Sequence, residues 1–251
     1  PKGMETMTQT TYIYDAEHNL ALDLYRSGRE NPPIFIYMHG GGLEAGDRGG
    51  PRVLFDKLCS DGIDVASLDY RMYPDARFPD YIEDCARAID YILHRLDMRF
   101  SGVYVGGSSA GAYLSMMLLF DSRYLKKYDI DPLALDGWVL DAGQPTVHFN
   151  VLRERGLDTR LVRLDEAAPL WHITSNFAPP AGRDKLPMIL NLAASNDMTC
   201  RLEQLRLLDA TLKHFGWPAD RIRFMYMNGW SHCGYDGAPV FAELIESIVT
   251  R

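Results

Sequence analysis

Acyl transfer through a serine needs a nucleophile held clear of its own backbone, a histidine to take its proton, a carboxylate to hold the histidine, and amide donors for the oxyanion. The stretch Gly107-Ser108-Ser109-Ala110-Gly111 offers the first of these. A G-x-S-x-G turn between a strand and a helix forces its central serine into a tight elbow, where small neighbours avoid clashes and Oγ projects at the helix N-terminus. Only the frame centred on Ser109 fits, because a frame centred on Ser108 ends in Ala110 and lacks the last glycine. The competing reading is a glycine-rich turn with a passive serine.

Oxyanion donors are expected from His39-Gly40-Gly41-Gly42, directly after the apolar run "PIFIYM". Glycines there let the backbone approach a substrate, so Gly41 and Gly42 are assigned as donors together with the N–H of Ala110, the residue after the nucleophile. A plain glycine-rich strand exit is the alternative. A phosphate cradle is disfavoured, since no Gly-Lys-Ser/Thr follows.

Seven histidines are available as general base. His18 sits in a hairpin turn, His94 and His214 fall in helical patterns, and His148 and His172 lie in a long irregular segment. His39 belongs to the glycine loop, where its ring would brace the backbone. His232, in "NGWSHCGYDG" between the last strand and the last helix, stands where a parallel sheet presents its C-terminal edge. Asp197, in the loop between "PMILNLAA" and the following helix, reaches that same edge and is the expected carboxylate. A helix-cap role for Asp197, with the carboxylate supplied by Asp236 or Asp141, is the rival arrangement. Trp230, two residues before His232, is a candidate pocket wall, alongside Phe149, Trp171 and Phe177, although all four also suit ordinary packing.

The elements that must position these groups are legible as eight β-rich runs: 10–15, 20–26, 33–39, 64–70, 102–107, 136–142, 187–194 and 221–228. Helical patterns fill 51–61, 80–97, 110–121, 199–215 and 239–250. In 80–97, Ile82, Ala86, Ile89, Ile92 and Leu93 share one face opposite the charges. From residue 33 strands and helices alternate, and the inner strands are continuous apolar runs, as in a parallel sheet buried on both faces. The first two runs, four residues apart, predict an antiparallel hairpin at the edge. The fold class is α/β: a mostly parallel eight-stranded sheet with helices on both faces, read as one domain over 1–251. A segment at 143–186, after the sixth strand, is longer than most connections and predicts a short lid.

With these pieces in place, the chain resembles the α/β-hydrolase superfamily and, within it, the hormone-sensitive-lipase-like esterases. The resemblance rests on "HGGG" (39–42), "LDYRMYPDARFPDYIEDC" (68–85), "GGSSAG" (106–111), "SNDMT" (195–199) and "WSHCGY" (230–235). It extends over nearly all the chain from residue 33, and the order Ser109, Asp197, His232 is that of the fold. The second piece is similar to the family's "DYRLAPE…PFPAAIED" segment, and an Asp69–Arg71 pair supporting the glycine loop is expected there. Two departures stand out: GSSAG replaces the usual GDSAG, and too few residues precede HGGG for a full N-terminal cap. Kynurenine-formamidase-like relatives carry Trp where Leu43 stands. The resemblance implies a serine esterase acting on small acyl or aryl-acyl esters, with acetylated or feruloylated sugars among the expected substrates. Arylformamidase or amidase/peptidase activity with the same residues is the alternative, and a non-catalytic binding member of the fold is a more distant one.

The formal net charge of −8 argues against nucleic-acid or anionic-membrane partners, which need clustered Lys and Arg. No apolar run approaches the roughly 18 residues of a membrane span, and the beginning of the sequence has no signal-like apolar stretch. Pro1 to Gly3 read as a non-native remnant. Cys59, Cys85, Cys200 and Cys233 have no metal-ligand spacing and read as free buried thiols of a cytoplasmic protein. The expected partner is a small-molecule ester, with no metal or organic cofactor called for, and an exposed edge strand could support a homo-oligomer.

Overall fold

A computed structural model describes residues 7–249. The Pro1–Gly3 reading and the expected end of the last helix at residue 250 lie outside the described residues. Eight strands form one sheet: β1 (Thr8–Asp15), β2 (Leu20–Arg26), β3 (Ile34–Met38), β4 (Asp64–Leu68), β5 (Val103–Ser108), β6 (Gly137–Asp141), β7 (Met188–Asn196) and β8 (Ile222–Ser231). Their order is β1-β2-β4-β3-β5-β6-β7-β8. β2 runs antiparallel to both β1 and β4, and every pair from β4 to β8 is parallel. β5, which leads into Ser109, is therefore central, flanked by β3 and β6.

Alternation along the strands splits the core into two layers, because successive side chains leave opposite faces. Ile34, Ile36 and Met38 face α2 (Asp80–Asp90), α3 (Ala110–Phe120) and α6 (Arg201–His214). Phe35 and Tyr37 face α1 (Arg52–Ser60) and α7 (Pro239–Ile248), through Leu54, Phe55, Phe241 and Ile245. All eleven residues of α3 are buried, so its sequence is apolar on every side, as a helix enclosed at the centre of an α/β fold must be.

The single helix expected over 80–97 is instead α2 followed by a wider π-type turn at Tyr91–Arg95. Periodicity sees both as one pattern, because a one-residue change in hydrogen-bond step barely moves the apolar face. The segment between β6 and β7 is not structureless: it carries α5 (Phe149–Glu154) and a 3-10 turn at Pro169–His172. It is tied down by Tyr113 Oη donating to Ala167 O at 2.6 Å and by Arg153 pairing with Glu44 at 2.5 Å. A further short helix, α4 (Arg123–Lys126), follows α3. The expected Asp69–Arg71 pair does not form. Arg71 makes a two-pronged contact to the fully buried carboxylate of Asp84, and Asp69 instead binds Arg48. A fully buried carboxylate needs a cation more than a partly exposed one does, and Asp84 wins the guanidinium.

Candidate active site

The glycines around Ser109 are required by close backbone approach. A Cβ on Gly111 would stand 1.9 Å from Met38 O of β3, and one on Gly107 would stand 2.5 Å from that same carbonyl. Ser109 itself adopts φ 54°, ψ −112°, a conformation non-glycine residues rarely hold, at the junction of β5 and α3. Its N–H donates to Asp141 O at 2.7 Å, which pins the elbow to the end of β6. This strain is what turns Oγ away from the sheet.

Oγ of Ser109 lies 2.7 Å from His232 Nε2, and His232 Nδ1 lies 2.8 Å from Asp197 Oδ1. The three residues come from different connections: the β5–α3 elbow, the turn after β8, and the turn after β7. Asp197 Oδ1 also accepts the Met198 N–H at 2.6 Å, and its side chain is 1% exposed. Asp236 and Asp141, the rival carboxylates, make no hydrogen bond to His232 among the described residues.

Beside the elbow runs the Gly40–Leu43 turn. Gly41 and Gly42 have φ of 119° and 66°, and a Cβ on Gly41 would fall 1.9 Å from Ala45 O, so that position tolerates only glycine. A Cβ on Gly40 would come within 3.4 Å of Ser109 Cβ, which measures how closely this backbone passes the serine. The N–H groups of Gly41, Gly42 and Ala110 donate to no carbonyl among the loop and turn hydrogen bonds of the described residues. His39 braces the turn: its ring stacks on Tyr70 at 4.4 Å, Nδ1 meets Gly40 O at 2.6 Å, and Tyr70 Oη donates to His39 O at 2.7 Å. Burial holds the His39 pKa below its usual value, so the ring is neutral and its Nδ1 proton serves Gly40 O.

Trp230 is partly exposed on β8 and packs edge-on against Tyr235 at 6.1 Å. Phe177 is a packing residue, edge-on to Trp217 at 4.9 Å, and Trp171 is 54% exposed. Phe149 reaches the site, with its ring 3.2 Å from where a Gly42 Cβ would be. It lines a cleft of about 520 Å³ between the 143–186 segment and the start of α6, with Gln144, Leu161, Val162, Met198 and Arg201 among the other walls. Trp230 is absent from that lining.

Beneath the elbow lies a group that sequence reasoning did not foresee. Ser108 Oγ accepts from Tyr37 Oη at 3.0 Å, and Tyr235 Oη donates to Asp141 Oδ1 at 2.5 Å. Asp141, Cys233 and Asp236 bring donor atoms within 4.8 Å of one another, and Asp141 Oδ2 and Asp236 Oδ1 are sealed from water with no donor. Burial and the neighbouring Asp141 push the Asp236 carboxyl up to about 10. A proton on Asp236 supplies the missing donor between the two carboxyls. Burial also raises the Cys233 thiol well above its usual range, which makes it a poor metal ligand. The other cluster with metal-like spacing, Asp15, Glu17 and His18, already has Arg87 on Asp15 at 2.9 Å. Cys200 is exposed and Cys233 partly so, unlike the four buried thiols expected; Cys59 and Cys85 are buried, and all four are free. Both departures follow from placement in the turns after β7 and β8, at the open edge of the sheet.

Comparison with known proteins identifies the architecture. A family model described as alpha/beta hydrolase fold matches residues 35–204, more than half of the chain. The chain belongs to this family. The carboxylic ester hydrolase LipN of Mycobacterium tuberculosis is 32% identical over 119 residues, 45% of this chain and 32% of LipN. Kynurenine formamidase of Danio rerio is 27% identical over 129 residues, 51% of this chain and 43% of that protein. The match thus spans well under half the length of these curated relatives. Among solved structures, an esterase of Thermogutta terrifontis superposes with a TM-score of 0.72 at 18% identity, covering 99% of this chain and 91% of that one. Esterase LipW of Mycobacterium marinum gives 0.72 at 18%, covering 96% and 81%. These likenesses show that the α/β-hydrolase fold is shared. No helix among the described residues is long and apolar enough to cross a membrane.

Proposed function

We propose that this α/β hydrolase is a serine esterase that cleaves small carboxylic esters through an acyl-enzyme. The observation that carries the reading is the contact chain Ser109 Oγ–His232 Nε2–His232 Nδ1–Asp197 Oδ1, at 2.7 and 2.8 Å. Ser109 Oγ attacks the ester carbonyl as His232 Nε2 takes its proton. Asp197 holds the Nδ1 proton, fixing the tautomer that leaves Nε2 free to accept and stabilising the imidazolium. The uncommitted N–H groups of Gly41, Gly42 and Ala110 receive the negative charge that grows on the carbonyl oxygen. The imidazolium then protonates the departing alkoxide. Water enters, gives its proton to His232, and releases the acid while Ser109 Oγ recovers its proton.

Esterase relatives in sequence and in fold support the reaction class. The 143–186 segment serves as a short lid on one side of the site, supported by Phe149 lying over Gly42. Free cysteines support a cytoplasmic setting, and the acidic net charge of −8 supports a small-molecule substrate over nucleic acid. The likeness to kynurenine formamidase supports a second reading, hydrolysis of an N-formyl arylamine by the same residues.

The test is turnover of p-nitrophenyl acetate and labelling by a fluorophosphonate probe. Wild type should do both, and Ser109→Ala should lose both. Near-normal turnover by Ser109→Ala would remove the assignment. Comparing kcat/KM for an ester, N-formylkynurenine and a peptide amide separates esterase from amidase.

A further inference from the structure

Arg201 is the one arginine buried among the described residues, at 5% exposure, and no carboxylate lies within ion-pair distance of it. Arg26 and Arg71, which are more exposed, have the buried carboxylates of Asp64 and Asp84 beside them. A buried guanidinium with no carboxylate in contact is costly, because it has given up most of its water without gaining a paired counter-charge. Its burial is severe enough to lower its pKa, opposed by the fields of Asp197 and Cys233.

Its single hydrogen bond runs from Nη1 to Ala142 O at 2.6 Å. Nε and Nη2 have no partner, yet they are not among the nitrogens sealed from solvent. Arg201 helps to line the cleft of about 520 Å³. That cleft adjoins the site: Ala142 follows the residue whose carbonyl holds the Ser109 N–H, Met198 follows Asp197, and Phe149 covers Gly42.

The other charged wall and the Gln144 amide are already committed. Gln144 donates to Thr146 and Val147 and accepts from Phe149, and Gln204 accepts from Thr146 at 2.9 Å. Arg160, the second cation of the lining, is paired with Asp158 at 2.6 Å. The flanks carry exposed apolar side chains, Leu161, Val162 and Met198. What remains among the charged walls is one unpaired guanidinium edge in a cleft with apolar banks, with the neutral donors of Thr159, Thr199 and Gln204 beside it.

We propose that this cleft binds the carboxylate of an anionic ester substrate, with Arg201 Nε and Nη2 as its donors and Leu161, Val162 and Met198 against its hydrocarbon spacer. A planar guanidinium fork suits a carboxylate, which accepts two parallel N–H bonds. In a protein of net charge −8, such a substrate is repelled by the surface as a whole and must be held locally. The inference rests on the esterase reading for its substrate but not for its binding site.

The test uses two matched pairs, so that the carboxylate is placed on either side of the ester. On the acyl side the pair is mono-p-nitrophenyl adipate and p-nitrophenyl hexanoate; on the leaving-group side it is 4-acetoxybenzoate and 4-acetoxybenzamide. The readout is the ratio of kcat/KM, anionic over neutral, in wild type, Arg201→Gln and Arg201→Lys. In the variant-to-wild-type comparison, intrinsic reactivity differences cancel. For at least one pair the ratio should fall about 10- to 100-fold in Arg201→Gln, mainly through KM, and less in Arg201→Lys, which keeps the charge. A change under threefold in both pairs overturns the proposal, whether or not overall rates drop; equal loss on both members would make Arg201 a support for Asp197 alone. Calorimetric binding of adipate against adipamide reads the site without turnover. Preference for adipate in wild type, lost in Arg201→Gln, sustains the anion site even where no ester is cleaved; no preference overturns it. Absence of both turnover and fluorophosphonate labelling removes the esterase reading instead. If Arg201→Gln fails to fold, Arg201→Lys and the wild-type adipate preference decide.

Discussion

Replacing Asp236 by Asn isolates the proton that sits beneath the nucleophile elbow. In the fold, burial and Asp141 push the Asp236 carboxyl up to about 10, against an ordinary value of 3.8. Between those limits the folded chain holds one proton that the unfolded chain has released. With the unfolded state binding fewer protons, stability must fall as pH rises, and the contribution is fully present only below about 4. One proton corresponds to at most about 1.4 kcal/mol per pH unit, hence an upper bound of about 3 kcal/mol between pH 6 and pH 8. Coupling to Asp141 spreads the titration over the pair and lowers this to about 1–2 kcal/mol. An Asn at 236 offers Asp141 an N–H donor at every pH and carries no titrating proton, so that slope should vanish. Urea unfolding at pH 6, 7 and 8 measures it, provided the m-value stays constant. The difference between wild type and Asp236→Asn should shift in favour of the variant by that amount as pH rises, with all other ionisations cancelling. Parallel stability curves for the two proteins would refute the shared proton and leave the two sealed oxygens of Asp141 and Asp236 without a donor.

Two further outcomes follow from the same geometry. Asp197→Asn should lower kcat about 10³- to 10⁴-fold in steady-state ester hydrolysis while leaving the folded spectrum intact, because an amide facing His232 Nδ1 selects the tautomer whose Nε2 cannot accept from Ser109; a loss under tenfold would contradict the orienting role. Gly111→Ala should cost about 1–3 kcal/mol or more in thermal or urea unfolding, since its Cβ would meet Met38 O at 1.9 Å and α3 must move off β3; wild-type stability would show that the helix start is looser than its packing implies.

Much of the scaffold was legible in the sequence because two local periodicities carry it. Runs such as "PIFIYM" and "GVYVGG" are apolar without alternation only if both faces are covered, which points to inner parallel strands, and β3 and β5 are such strands. The motif glycines carried positional information of the same kind, since Gly41, Gly107 and Gly111 stand where two backbones meet. The short helix α5 inside the 143–186 segment escaped notice because a six-residue element has too few turns to display a period.

By itself, then, the sequence determined the α/β class, the strand–elbow–helix around Ser109, and the placement of Asp197 and His232 in turns at one sheet edge. Local chain chemistry suffices for these, because a turn's glycines and a strand's apolar run act over a few residues. Only the tertiary structure decided which charges meet. Asp69 and Arg71 lie two apart in sequence yet part company for Arg48 and Asp84, and the carboxyls of Asp141 and Asp236 meet across 95 positions of chain. It alone left Arg201 buried facing a cleft with no carboxylate beside it. Charge pairing depends on burial and on contacts between distant segments, and neither quantity exists until the sheet has assembled.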